Sequence, residues 1–240
     1  MGLRDLFSGS GRGKSRVDKL IKTAVNKYTQ SAERYAAMEE LLKDGSDEAL
    51  IGVMRRFTIV SSKSIEDEEE KGWAYRRLSE LGESVLPAVK AFCLEHDNIA
   101  WVLRLIEDCD ETQEWQILDA LLKQHPPSYE RDPSKKLQLL THVAEIDDDA
   151  VAGILAGYLS DPDEGIRFFS TEQLLDIADE KTKPKLVERI LDEEEDSVRL
   201  RTKVLDGLAD LDWDVSEWAE QLPARIGAEH TVRKGRIVKN

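Results

Sequence analysis

Cysteine is nearly missing from this 240-residue chain, with Cys93 and Cys109 as its two examples. Both fall inside helical patterns, so a disulfide framework is excluded and two packed, reduced thiols in a reducing compartment are expected. No run of 18 apolar residues occurs, and the first residues hold no apolar core of 7–15, which disfavours a membrane span and a secretory signal. A cytoplasmic chain is the simplest expectation. Met1-Gly2 suggests myristoylation, but position 6 is Leu rather than Ser or Thr, and the motif fails. No stretch alternates with period two for long enough to predict a strand. His-Glu dipeptides are absent, and the four histidines, His96, His125, His142 and His230, are scattered.

Charge is what the chain has in excess. Charged residues make up 35% of it, as many short helices each turning one face to water require, and the net charge is −15. The distribution is uneven. Residues 1–30 carry seven Lys/Arg against two acids and residues 231–240 carry four against none, so the 200 residues between them hold −24. Such a body repels phosphate polymers and favours basic partners, while the two ends have the opposite preference.

The clearest organisation is a repeat of 32 residues. Leu159-Ser-Asp-Pro-Asp-Glu-Gly-Ile-Arg167 is echoed by Leu191-Asp-Glu-Glu-Glu-Asp-Ser-Val-Arg199, and each is followed by an amphipathic helix ending in Asp-Ile-Ala-Asp or Gly-Leu-Ala-Asp. A fixed period of this size marks an array whose units bury their apolar faces only against neighbours. Helical spacing extends upstream, over 16–43, 49–60, 73–82, 83–93, 99–109, 112–123, 135–146 and 150–159, and downstream through 166–178, 182–191, 198–211 and 215–222. Gly45 and Ser46 supply a C-terminal glycine and the next N-cap. The fold expected is all-α, an α-solenoid of about six antiparallel helix pairs over residues 16–222. A flexible basic segment is expected before it (1–15) and a basic tail after it (223–240).

Residues 159–211 resemble HEAT repeats, including the bacterial form related to phycobilisome-lyase repeats. The resemblance rests on the acidic turn, the Ile-Arg or Val-Arg pair and the small residues with Leu inside each helix. Residues 73–93, with Leu81-Gly82 and Leu86-Pro87, look like a looser copy. In HEAT arrays the Asp and Arg around that turn commonly link adjacent repeats. This implies structural, inter-repeat roles for Asp163, Arg167, Asp196 and Arg199.

Two insertions interrupt the period, and insertions in a solenoid often build its binding face. The first, residues 61–71, contains Glu66, Asp67, Glu68, Glu69 and Glu70, which either dock a basic segment or form a solvated helix start. The second, residues 124–136, stiffens a loop with Pro126-Pro127 and presents Tyr129, Glu130, Arg131 and Asp132. A stiff loop loses little entropy when bound. The leading functional expectation is therefore a non-enzymatic protein-binding scaffold whose acidic surface takes a basic segment of a partner. Duplex nucleic acid is disfavoured on the acidic body. The alternative is recruitment to an anionic membrane or nucleic acid through the ends, with Leu3, Leu6 and Phe7 inserting beside Arg12, Lys14, Arg16 and Lys19. A monomer or weak homo-oligomer fits either.

Enzymatic readings fare worse. Ser8-Gly-Ser-Gly-Arg-Gly-Lys-Ser15 lacks the first glycine of a phosphate-binding loop and has no preceding strand. HEAT-like deoxyhypusine hydroxylases hold iron through repeated His-Glu pairs, which this chain lacks. HEAT-like DNA glycosylases need a basic concave face. The five tryptophans sit at helical spacing among Leu and Ile, as packing residues do. No cofactor, metal or catalytic residue is implied.

Overall fold

The computed structural model describes residues 8–60, 64–107 and 109–240, with side chains from Arg16 onward. The chain divides into two compact units, residues 1–124 and 125–240. Among the described residues the first unit holds α1 (Ser8–Ala24), α2 (Ser31–Asp44), α3 (Asp47–Met54), α4 (Ser64–Ser79), α5 (Leu86–Glu95), α6 (Ala100–Leu103) and α7 (Glu111–Gln124). The second holds α8 (Ser134–Ala144), α9 (Ala150–Gly157), α10 (Glu164–Ile177), α11 (Lys183–Leu191), α12 (Val198–Asp210), β1 (His230–Arg233) and β2 (Arg236–Lys239). The fold is an all-α solenoid with a small hairpin at its C-terminal end.

The helix boundaries follow local chemistry. Gly45 closes α2 at φ +68, where only a residue without Cβ sits freely, and Ser46 caps α3 by accepting the Ala49 N–H. Asp163 caps α10 at the Ile166 N–H and Ser197 caps α12 at the Leu200 N–H. In the first unit, buried Val17, Ile21 and Ala24 of α1 pack with α2 and α3, while the ring of Trp101 stacks on Phe57 at 5.6 Å and Trp73 meets Tyr35 edge-on at 5.1 Å. In the second, Leu139, Val143, Leu155, Leu174, Val187, Leu200 and Val204 form the spine of the core. Helices α10 and α12 approach so closely that a Cβ on Gly207 would stand 2.4 Å from Leu175.

Several elements differ from the sequence expectation. Of the insertion expected over 61–71, residues 64–71 form the first turns of α4, and the acidic run from residue 66 continues into the helix expected at 73; residues 61–63 lie outside the described residues. The helix expected over 99–109 shrinks to α6 and a series of turns. The last expected helix, 215–222, is replaced by two 3-10 turns, Ser216–Trp218 and Leu222–Ala224, and Pro223 in the second of them blocks regular helix there. The C-terminal segment is folded. β1 and β2 pair antiparallel through a two-residue turn, Lys234 and Gly235, both at positive φ, as a tight hairpin requires. β2 packs on α12 and Ile237 is buried, so the hairpin covers the apolar face that a further repeat would otherwise cover. Each strand is four residues, too short to show alternation against the helical background. Residues 8–15, expected as a flexible linker, carry helical backbone within α1.

Candidate protein-interaction surface

Neighbouring repeats of the second unit are joined by buried ion pairs at the loops that lead from one repeat to the next. Arg167, in the first turn of α10, donates through Nε and Nη2 to Glu195 at 2.9 and 3.1 Å, and through Nη1 to the carbonyls of Asp161 and Pro162. Arg189 of α11 lies 3.1 Å from the same carboxylate. Arg199 donates to Glu164 and lies over the Phe168 ring at 4.4 Å. The Arg199 hydrogen bond is the main reason the Glu164 carboxyl is held below the ordinary value; burial opposes it. Asp163 spends its carboxylate on the α10 cap, and Asp196 is exposed. The buried acid of the second turn is Glu195, one position earlier.

One repeat upstream, the same arrangement fixes a loop. Lys136, in the first turn of α8, is 0% exposed. Its ammonium donates to Asp161 at 2.7 Å and to the Ser128 carbonyl at 2.8 Å, and lies 3.2 Å from Glu130. Glu130 also meets His125 Nδ1 at 3.2 Å, and the His125 carbonyl accepts the Tyr158 hydroxyl at 2.8 Å. Burial, with help from Asp161 and Glu130, pushes the Tyr158 phenol up to about 12, so it stays a neutral donor. The loop from His125 to Pro133 is thus tied to a buried cation, a buried phenol and its own prolines. Tyr129 stands 79% exposed on it. Arg131 and Asp132 are exposed as well, although Asp132 accepts the Ser134 N–H and hydroxyl at the start of α8, which lowers its carboxyl. Glu130, expected to face a partner, turns inward instead. Nothing next to Lys136 in the sequence marks it, but it stands 31 residues before Arg167, one short of the repeat, and that spacing is its signal.

The acidic run of the first unit divides by face. Glu68 and Glu69 are exposed and Glu66 is half-buried, but Asp67 and Glu70 are buried. Glu70 accepts from Arg34 Nε at 2.8 Å, Arg56 Nε at 2.8 Å and the Ser31 hydroxyl at 2.6 Å. Asp67 accepts from Arg56 at 2.6 Å and pairs with Lys71 at 2.7 Å. Burial alone would raise the Glu70 carboxyl, but the hydrogen bonds from Arg34, Ser31 and Arg56 outweigh it and hold the group below its ordinary value. Two of the five acids expected to attract a partner therefore hold α2, the turn after α3 and α4 together.

The basic ends are also partly spent. Leu3, Leu6 and Phe7 lie outside the described residues, as do the side chains of Arg12 and Lys14. Arg16 pairs with Glu40 at 2.5 Å, and Lys19 is exposed. In the hairpin, Arg236 pairs with Asp212 and Lys239 with Asp210, while His230 meets Asp206 at 2.9 Å.

Residues 118–206, which include both copies of the acidic turn and the anchored loop, match the family model for HEAT repeats. That stretch of the chain is a HEAT-repeat array. No curated protein and no solved structure matches it. Within the HEAT array, Lys136 with Asp161 and Arg167 with Glu195 are one device used twice: a cation in the first helix of a repeat clamps the acidic loop that opens the next. Among the described residues no helix is long and apolar enough to cross a membrane, and neither Cys93 nor Cys109 is in a disulfide.

Proposed function

We propose that this chain is a binding scaffold that catalyses no reaction and holds a basic segment of a protein partner. The observation that carries this reading is the loop His125–Pro133, which is anchored from beneath and yet presents exposed side chains. A fully buried lysine anchors it, yet Tyr129 and Arg131 point to water. A large aromatic and an arginine on a stiff support are the residue types that concentrate binding energy, because little entropy is lost when they are covered. The acidic body supplies attraction and speed of encounter, and the loop supplies orientation.

Within the first unit, Glu68 and Glu69 are exposed to a basic segment, whereas Asp67 and Glu70 are buried. Capture of partners from source-cell lysate at low and high salt, by the full chain and by Tyr129→Ser/Arg131→Ala, tests the reading. A partner retained by the wild type, released by salt and lost by the double variant supports it. Equal capture by both chains removes the loop from the binding surface.

A further inference from the structure

The two ends of the helices in the second unit use their acids differently. At the loops between repeats, Asp161, Glu164 and Glu195 are matched by Lys136, Arg199, Arg167 and Arg189. At the other end, the turn between α8 and α9 lies beside the turn between α10 and α11, and together they enclose a groove of about 370 Å³. Its apolar lining includes Ile146 and Ile177, and Ile177 is 42% exposed although it is large and aliphatic. Its rim carries Asp147–Asp149 and Asp179, with Lys181 the one cation among the lining residues. Asp148 and Asp179 also shape the turns, accepting the N–H groups of Ala150 at 2.7 Å and Lys181 at 3.0 Å. Asp147 and Asp149 are exposed and take no part in the clamps between repeats.

We propose that this groove receives a short basic segment of the partner, with an aliphatic side chain on Ile177 and flanking Lys or Arg side chains on the aspartates. The inference rests on the scaffold reading and gives the basic segment its seat. An aliphatic group fits because Ile146 and Ile177 offer apolar surface that water now covers. Cationic flanks fit because four carboxylates against one ammonium leave the rim at −3, which repels phosphates and acidic peptides. The volume lies near the lower end of ligand pockets, enough for a few side chains and too small for a folded domain.

The test is fluorescence anisotropy with three labelled hexapeptides and the full chain: Lys-Lys-Leu-Leu-Lys-Lys, Lys-Lys-Ser-Ser-Lys-Lys and Glu-Glu-Leu-Leu-Glu-Glu. The first is expected to bind about tenfold or more tighter than either control, since it alone offers both chemistries. Asp147→Asn/Asp149→Asn and, separately, Ile177→Ser each reduce that affinity severalfold while circular dichroism stays unchanged, because all three side chains are exposed at least in part. Binding no tighter than the lysine-serine peptide, or affinity unchanged in both variants, overturns the groove. Failure here stays distinct from failure of the scaffold reading. If groove variants still capture the salt-released partner while Tyr129→Ser/Arg131→Ala does not, the scaffold stands and the groove is not its seat.

Discussion

Replacing Lys136 with methionine keeps most of the stem and removes the ammonium, which isolates what that charge does. Asp161, 1% exposed, would then keep its hydrogen bond from the Asp163 N–H at 2.9 Å but lose its cation. The Ser128 carbonyl would lose its donor, and Glu130 its cationic neighbour. Removing one partner of a buried pair costs about 3–5 kcal/mol, because the remaining charge stays out of water uncompensated. The retained Asp163 hydrogen bond places the expected loss at the low end, about 3 kcal/mol. That is a large fraction of the roughly 5–15 kcal/mol that stabilises a typical domain. Lys136→Met/Asp161→Asn removes both charges and is expected to recover part of the loss. Urea unfolding followed by circular dichroism gives the energies, and hydrogen exchange of amides 128–132 reports the loop, which is expected to exchange faster in the single variant. A loss below about 1 kcal/mol with unchanged exchange in the loop would refute the anchoring argument.

Three further perturbations probe the rest of the architecture. The Glu70 carboxyl titrates below its ordinary 4.5 in the fold, so it contributes stability at neutral pH that is lost as pH falls through the carboxylate range. Glu70→Gln is expected to be less stable at pH 7 by about 3 kcal/mol and to show a shallower acid-side fall, read from urea midpoints across pH. Ile237→Ala empties a buried site between the hairpin and α12 and is expected to cost at least about 2 kcal/mol, whereas a free tail would show no change in melting temperature. Gly207→Ala forces a methyl against Leu175 and is expected to cost about 1–3 kcal/mol by separating α10 from α12, measured by thermal unfolding.

Much of the array is legible because its signals are local. The repeated Ile-Arg and Val-Arg starts, the Gly45-Ser46 boundary and the Pro126-Pro127 loop each depend on residues a few positions apart, and each marks a real boundary or turn. Burial of charge is not local. Five consecutive acids read alike in sequence, and only Arg34, 36 residues away from Glu70, and Arg56 decide which two turn inward. Glu195 rather than Asp196 meets Arg167 for the same reason: the turn geometry selects one of several adjacent acids. The hairpin is not legible because four-residue strands joined by Lys-Gly carry too little pattern to stand out beside a strong helical period. The groove beside Ile177 is equally hidden, since residues 146–149 and 177–181 meet only after two repeats stack.

The most direct measurement is a cross-linking experiment on the full chain in source-cell lysate, with a reagent that joins carboxylates to amines and mass spectrometry to locate the links. The scaffold account expects partner lysines joined to exposed acids of the body, Glu68 and Glu69 or, where the groove is the seat, Asp147, Asp149 or Asp179, with links that fade as salt rises. Partner links confined to the basic ends of the chain, or an unchanged yield at high salt, would contradict it.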